Sequence, residues 1–539
     1  MEFNIADLFE SVVDAVPDRL ALVAGKARLT YRELEARTNR LASFLRSRGV
    51  GKGSHVGLHL WNGAEFVESM LAVFKLRAVP ININYRYVED ELRQLCTNAD
   101  LAALVSQTDF LPAVESVEKS CKTLETVVLV GGAAEGATPN AAHFAYERCI
   151  ERGSPARDFP KRSGEDLYII YTGGTTGAPK GVMWRHEDVF FAGLQGGNAG
   201  GAPIERAAQL ADNVREGRVM ALRMLPAAPF IHGAAQWACL ICFFSGGTVV
   251  LQPGRSFSAA RILELVGEEK VQTITLVGDA MARPLLEELT SAPERYDLQS
   301  LFVIASAGAV LSPVVKERFR AILPSVMMVN SFGSTEAGHQ GSGMPGYDLG
   351  TDGRPSFMMD ASSAVLDDER RRIEPGSGKV GWIARSGRVP LGYYKDPDKT
   401  AARFVTLEGR RWVLPGDRAM VEADGRITVL GRGSECINTG GEKVFPEEVE
   451  EALKSHPDVF DALVVGIEDE RWMQRVAAVV EPVAGKTPSP DSLREHCRAV
   501  IAGYKVPRQI ALVDKVSRFP TGKPDYAWAR DIAKNAGVL

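Results

Sequence analysis

The segment Tyr171-Thr-Gly-Gly-Thr-Thr-Gly-Ala-Pro-Lys-Gly181 directly follows the apolar run DLYII. Gly173, Gly174 and Gly177 let backbone N–H groups approach an anion, and Thr172, Thr175, Thr176 and Lys180 add donors, so the loop suits phosphate oxygens. It is not a Walker A loop, which needs Gly immediately before Lys-Ser/Thr; here Pro179 precedes Lys180 and Gly181 follows it. A P-loop nucleoside triphosphatase is therefore disfavoured. Alone, the loop also reads as a flexible turn, and its companions decide. These are Ser306-Ala-Gly-Ala309 after LFVIA, Asn330-Ser-Phe-Gly-Ser-Thr-Glu336 after VMMV, Trp412-Val-Leu-Pro-Gly-Asp417, Gly431-Arg432, and Pro520-Thr-Gly-Lys523.

In this order, from roughly Ile5 to Asp531, the motifs resemble the adenylate-forming superfamily of acyl-CoA synthetases, luciferases and adenylation domains. The resemblance implies ATP and Mg²⁺ as ligands and coenzyme A as second substrate. Thr172, Gly173, Gly174, Thr175, Thr176, Gly177 and Lys180 are implied to hold the β- and γ-phosphates. Ala307, Gly308 and Ala309, with Asn330, Ser331, Phe332 and Gly333, are implied to line the adenine. Phe332 stands where a Tyr is usual, and the missing hydroxyl matters little for stacking. Glu336 is implied to hold Mg²⁺, a hard oxygen ligand for a hard cation, with Thr335 near the α-phosphate. Outside its motif, that Thr-Glu pair would read as a helix cap. Asp417 matches the acid that accepts both ribose hydroxyls, Arg432 the basic residue beside it, and Lys523 the lysine that bridges substrate carboxylate and α-phosphate oxygens.

A carboxylate is a poor acyl donor, and its attack on the α-phosphate yields an acyl-adenylate with pyrophosphate leaving. Both reactants are anions, so Lys523, Mg²⁺ and backbone N–H groups are expected to neutralise the transferring phosphorus. No covalent enzyme nucleophile is needed. The coenzyme A thiol then attacks the adenylate, and the resemblance implies that a small domain rotates about a hinge at residues 432–434. Here the sequence departs from the pattern: Ser434 stands where an acid or lysine is usual, and Gly433 adds backbone freedom. Asn438-Thr-Gly-Gly-Glu-Lys443 falls on the implied thioesterification face, where Gly440 and Gly441 leave room for a pantetheine arm. Lys443 is assigned no catalytic role.

The acyl site is implied at Phe230, His232 and Trp237, in Pro229-Phe-Ile-His-Gly233 and just beyond it, together with Gly278, Asp279 and Gly338. Small residues gather in these segments (Gly233, Ala234, Ala235, Ala280, Ala282) and leave volume for a bulky acid. Val277-Gly-Asp-Ala-Met-Ala-Arg-Pro284, Val182-Met-Trp-Arg-His-Glu-Asp188 and the run from Gly431 to Lys443 resemble the actinobacterial fatty-acid-CoA ligase branch that activates steroid side-chain acids. The expected reaction is ATP-dependent activation of a fatty or steroid side-chain acid, giving acyl-CoA, AMP and pyrophosphate. Rival readings are an aryl-CoA ligase, an adenylation enzyme loading a separate carrier protein, and a non-enzymatic nucleotide-binding protein; the last would not need Lys523.

These residues must be positioned by large cores, and 539 residues with 45% hydrophobic and 24% charged content supply them. Strand patterns alternate with helical ones from HVGLHL to LFVIASAG, as in parallel-sheet α/β architecture. Short strand patterns mark a β-rich subdomain at residues 376–431, and an αββα-like pattern follows. The expectation is an α/β fold with an N-terminal AMP-binding domain at 1–431 and a small mobile α+β C-terminal domain at 435–539. GLQGGNAGGAP (193–203) reads as a Gly-rich surface loop. Net charge −5 argues against nucleic acid. Seven scattered cysteines read as reduced, cytoplasmic thiols, and the CxxC of Cys239 and Cys242, inside ACLICFF, reads as core. No stretch of 18 apolar residues would span a bilayer. Peripheral membrane contact and a homodimer are compatible with the sequence.

Overall fold

The Thr30 hydroxyl accepts the Glu33 amide at 3.2 Å, and the Glu33 carboxylate accepts the Thr30 amide at 2.8 Å. This reciprocal cap opens the helix Tyr31–Ser47. The Asn4 side chain caps Ile5–Ala15 by accepting the Ala6 amide. Lys75, fully buried, is matched by Glu10 and Glu35 at 2.7 Å each, so these opening helices are joined by a compensated internal charge. The structure is a computed structural model describing residues 1–132, 136–137, 141–172, 179–308, 311, 313–343, 356–432, 437–444, 446–517 and 525–536.

Among the described residues, strands form four sheets. The first has nine strands, in the order Gly392–Tyr393, Lys180–Arg185, Leu167–Thr172, Val79–Asn82, His55–His59, Leu101–Gln107, Thr126–Val130, Ala142–Ala145 and Gly136–Ala137. The second has eight, in the order Gly338–Gly343, Met327–Ser334, Val303–Ala307, Thr273–Leu276, Arg223–Pro226, Thr248–Leu251, Leu20–Ala24 and Ala27–Thr30. Both are parallel through their centres and antiparallel at their edges, as helical crossovers between successive strands require. A third sheet, antiparallel and spanning Ser356–Phe357 to Ile427–Arg432, is the β-rich subdomain. The fourth belongs to the small C-terminal domain. There the hairpin Ile437–Thr439/Glu442–Val444 precedes the helix Pro446–Lys454, the strands Val459–Asp469 and Met473–Pro482, and the helix Pro490–Val500. The fold is thus the expected mixed α/β one, with a large N-terminal and a small C-terminal domain.

Cys239 and Cys242 are buried free thiols on the helix Gly233–Phe244, and burial pushes Cys242 up to about 12. Among the described residues no helix is long and apolar enough to cross a membrane.

Candidate functional site

Thr172 ends the strand Leu167–Thr172, directly across the antiparallel ladder from Lys180, so residues 173–178 connect two fixed points. Gly173, Gly174, Thr175, Thr176 and Gly177 lie outside the described residues. The Lys180 ammonium stands 5.6 Å from the centre of the Tyr393 ring, and the Tyr393 hydroxyl donates to Glu336 Oε1 at 3.3 Å. Burial, with the positive charge of Lys399, lowers Lys180 to about 8 against the opposing pull of Glu336. Glu336 is buried at the cavity wall, and beside it the Thr335 carbonyl accepts the Trp184 indole N–H at 2.8 Å. Among the described residues no three His, Cys, Asp or Glu side chains form a metal cluster. One carboxylate nevertheless suits Mg²⁺, which takes its remaining ligands from water and substrate phosphates.

From this end a cavity of about 570 Å³ runs inward between the second sheet and the helix Gly233–Phe244. Its floor consists of successive inward-facing rungs on neighbouring parallel strands. Val277, Ala307 and Ser331 are nearest the Thr172 and Glu336 end; then come Thr275, Ala305 and Val329, and finally Met224, Thr273 and Val303. In Val303–Ala307 the cavity-facing residues 303, 305 and 307 are partly exposed while Ile304 and Ser306 are buried, the alternation a strand imposes. Four residues separate the outer from the inner rung, a depth of about 13 Å at ~3.3 Å per residue. The opposite wall is one face of the helix, Ala234, Trp237, Ala238 and Ile241, at helical spacing. At the far end the Cys242 thiol donates to the Leu222 carbonyl at 3.5 Å, tying the helix to the base of the sheet. At the near end Asn82 donates to the Tyr171 and Ile231 carbonyls at 2.9 and 2.6 Å and accepts the Tyr171 amide at 2.8 Å.

The C-terminal domain closes the near end. Gly441, Glu442 and Tyr504 line the cavity, and a Cβ at Gly441, whose φ is +84°, would collide with the Val277 side chain. Only glycine lets the hairpin approach so closely. Glu442 meets His232 at 3.5 Å and Arg86 at 3.0 Å, while Lys505 pairs with Glu91 at 2.7 Å in a second buried bridge between the domains. The face turned to the cavity is thus the one carrying residues 438–443.

Thr172, His232, Trp237, Ala307, Gly308, Ser331, Phe332, Gly333, Thr335, Glu336, Gly338 and Gly441 line this one cavity. Several expected residues stand elsewhere. Phe230 is fully buried, stacked on Phe66 with centroids 5.0 Å apart, because the turn before His232 sends it into the core. Asn330 faces away: its amide accepts the Leu311 N–H at 2.9 Å and donates to the Leu311 carbonyl at 3.3 Å, and strand alternation gives the cavity Ser331 instead. Gly278 donates its N–H to Ser306 Oγ at 2.8 Å where the helix Gly278–Ser291 begins, and Val277 takes the lining position. Asp279 belongs to that helix. Asp417 opens the strand Asp417–Val421 opposite Arg432. Gly440, at the hairpin tip, donates its amide to the Trp472 carbonyl at 3.0 Å. Ala309, Gly433, Ser434 and Lys523 lie outside the described residues. Asn82, Thr273, Thr275, Met224 and Tyr504 carry no motif of their own and emerge only from the folded arrangement, while Glu442 sits within the Asn438–Lys443 motif but carries no expected role there. The 193–203 segment is more than a surface loop, since Gly193, Gln195, Ala199 and Gly200 contribute to the wall.

Residues 9–394 match the family model described as AMP-binding enzyme, and residues 448–523 that of the AMP-binding enzyme C-terminal domain. A 3-oxocholest-4-en-26-oate–CoA ligase from Rhodococcus rhodochrous is 47% identical, with 98% of this chain and 96% of that protein covered. A medium/long-chain-fatty-acid–CoA/3-oxocholest-4-en-26-oate–CoA ligase from Mycolicibacterium smegmatis is 46% identical, with 99% and 97% covered. In fold the chain is similar to an amide bond synthetase from Marinactinospora thermotolerans, at TM-score 0.79 and 23% identity, with 97% and 99% covered. It is equally similar to a Bacillus subtilis o-succinylbenzoate CoA synthetase, at TM-score 0.79 and 23% identity, with 99% of each chain covered. With twelve of the expected residues lining one cavity and both family models matched in order, the chain belongs to the AMP-binding enzyme family.

Proposed function

We propose that this chain joins a steroid side-chain acid or a medium- to long-chain fatty acid to coenzyme A, using ATP and passing through an acyl-adenylate. The observation that carries this reading is the continuity of the cavity: residues suited to phosphate and nucleotide stand at one end, and about 13 Å of mainly apolar wall leads away from them. The names of the relatives support the acid class.

A carboxylate oxygen of the acid forms a bond to the α-phosphorus while the bond to pyrophosphate breaks. The coenzyme A sulfur then forms a bond to the acyl carbon, AMP leaves, and the thiol proton passes to solvent. Thr172, Lys180 and the loop between them hold the β- and γ-phosphates. Glu336 would hold Mg²⁺, which when bound neutralises phosphate charge. Ala307, Gly308, Ser331, Phe332 and Gly333 line the adenine, Asp417 and Arg432 serve the ribose side, and Lys523 steadies the charge that develops during adenylation. His232 stands beside the acid's carboxylate, and Gly440 and Gly441 admit the pantetheine arm. Residues 432–434 are the pivot between the two half-reactions.

Pyrophosphate release measured with acetate, benzoate, palmitate and a cholestenoate-type acid, with and without coenzyme A, tests this. Palmitate and the sterol acid should exceed acetate by at least about a hundredfold in kcat/KM, since each buried CH₂ contributes about 0.8 kcal/mol. Comparable turnover of acetate would refute the open cavity, and benzoate alone would indicate an aryl-CoA ligase.

A further inference from the structure

Tyr393 lies between the two charged side chains that the proposed reading assigns to the phosphates. Its hydroxyl donates to Glu336 Oε1 at 3.3 Å, and its ring centre stands 5.6 Å from the Lys180 ammonium. Lys180 opens the strand Lys180–Arg185 of the first sheet, whereas Glu336 follows Met327–Ser334 of the second, so one side chain bridges two separate layers. The tyrosine is itself held from several directions. It pairs across the ladder with Val182, its amide donates to Thr400 Oγ1 at 2.9 Å, and the amide of Tyr394 donates to the Gly181 carbonyl at 2.8 Å. The Phe404 ring meets it edge-on, with centroids 5.7 Å apart. Gly392, just before it, has a φ of +143°, and a Cβ there would collide with Thr400, so the turn that aims Tyr393 needs glycine.

Packing alone does not explain the hydroxyl. Tyr393 is only 5% exposed, and phenylalanine would fill the same space and offer Lys180 the same ring face. What phenylalanine lacks is the donor to Glu336, a carboxylate that is itself 8% exposed. A buried carboxylate needs such partners, and a donor on a rigid ring fixes its orientation. Because a carboxylate accepts at about four positions, the hydroxyl leaves sites on Glu336 for a cation.

We infer that Tyr393 is a positioning residue for nucleotide binding: its hydroxyl orients Glu336 toward Mg²⁺ and the phosphates, and its ring holds Lys180 beside them. The inference rests on the acid–CoA ligase reading and adds to it a residue outside every motif that the sequence singles out. The two parts of the side chain have separable effects. The ring acts on Lys180 with or without Mg²⁺, whereas the hydroxyl acts through the carboxylate that would hold the ion.

The test measures equilibrium binding of ATP to the full chain, without acid or coenzyme A, over a range of Mg²⁺ concentrations. Tyr393→Phe should raise the Mg²⁺ concentration for half-saturation by about tenfold or more, the usual cost of removing a partner of a metal ligand, and leave Mg²⁺-free ATP affinity within about twofold. Tyr393→Leu, which removes the ring as well, should in addition weaken Mg²⁺-free affinity by about two- to fivefold. In a Glu336→Ala background, Tyr393→Phe should cost nothing further, because the group it positions is gone. A Mg²⁺ requirement in Tyr393→Phe within about twofold of wild type would overturn the inference. So would a loss of affinity equal with and without Mg²⁺, or an undiminished cost in the Glu336→Ala background. Tyr393→Phe removes one oxygen and keeps the packing, so it decides the matter even where Tyr393→Leu does not fold. Any of these adverse results, with wild-type binding still dependent on Mg²⁺, would leave the ligase reading standing. A wild-type chain that binds no ATP would remove the ligase reading itself, and this inference with it.

Discussion

His232 Nε2 lies 3.5 Å from Glu442 Oε1, so the histidine at the cavity's near end is met by a carboxylate from the other domain. Burial would raise the Glu442 carboxyl, but His232, Arg86 and Lys505 together hold it below the usual carboxylate range. On the proposed rotation about residues 432–434 the contact forms only when the hairpin face is turned inward, so it should matter to one half-reaction and not the other. Glu442→Gln should slow thioester formation from supplied acyl-adenylate by about tenfold to hundredfold, the worth of a charge-assisted hydrogen bond. Pyrophosphate release in single-turnover adenylation should stay within about twofold. Parallel losses in both assays would show that Glu442 acts on folding or on the acid site generally.

Lys180 supplies a pH signature of two signs. With its pKa lowered to about 8, it loses its proton as pH rises through 8, and the KM for ATP should then climb toward tenfold per unit. The unfolded chain keeps that proton to about 10.4, so between these values it binds more protons and the ligand-free fold should gain stability as pH rises. Lys180→Met should flatten both trends. ATP titrations and thermal melts from pH 7 to 10 measure them, and a KM for ATP that stays level across pH 8 would contradict the assignment.

Ala305 occupies the middle rung of the cavity floor. Ala305→Leu should block the passage there, lowering kcat/KM for dodecanoate and sterol acids by about a hundredfold or more while leaving butanoate, which ends above it, within a few-fold. Equal loss for butanoate would mean the acyl chain does not follow this path.

Lys523→Ala should abolish acyl-adenylate formation and leave thioester formation from supplied adenylate largely intact, because the charge it serves develops only in the first transition state. Rates of the two half-reactions, measured separately, check this, and equal damage to both would deny the lysine that role.

Asp417→Ala should raise the KM for ATP by roughly tenfold to hundredfold through loss of a charge-assisted hydrogen bond of about 1.5 to 3 kcal/mol, without shifting the unfolding temperature much. An unchanged KM would take Asp417 away from the ribose.

The residues assigned to the nucleotide could be picked out because they sit in short contiguous motifs at strand ends. Thr172, Ser331, Thr335 and Glu336 lie on the cavity where the motifs imply. Contiguity does not say which face a side chain takes, and for that reason Asn330 and Phe230 fall on the wrong side of their segments. The inner cavity was not legible at all. Met224, Thr273, Ala305 and Val329 come from four separated strands and meet only through parallel pairing, a long-range event with no local signature. Glu442 was in plain view beside Gly441, but its partners Arg86 and His232 lie hundreds of residues away in another domain.

Asn82 holds the neighbouring strand through two hydrogen bonds to Tyr171 and, through a third to the Ile231 carbonyl, fastens the end of that sheet to the loop that leads into the His232 helix, at the mouth of the cavity. On the proposed reading, recognition of the acid's body falls to strand interiors that reach about 13 Å further in. Evolution can therefore retune what this scaffold accepts, rung by rung, without retouching the machinery that makes the acid reactive; a family sharing one chemistry and many diets is what such a division of labour would produce.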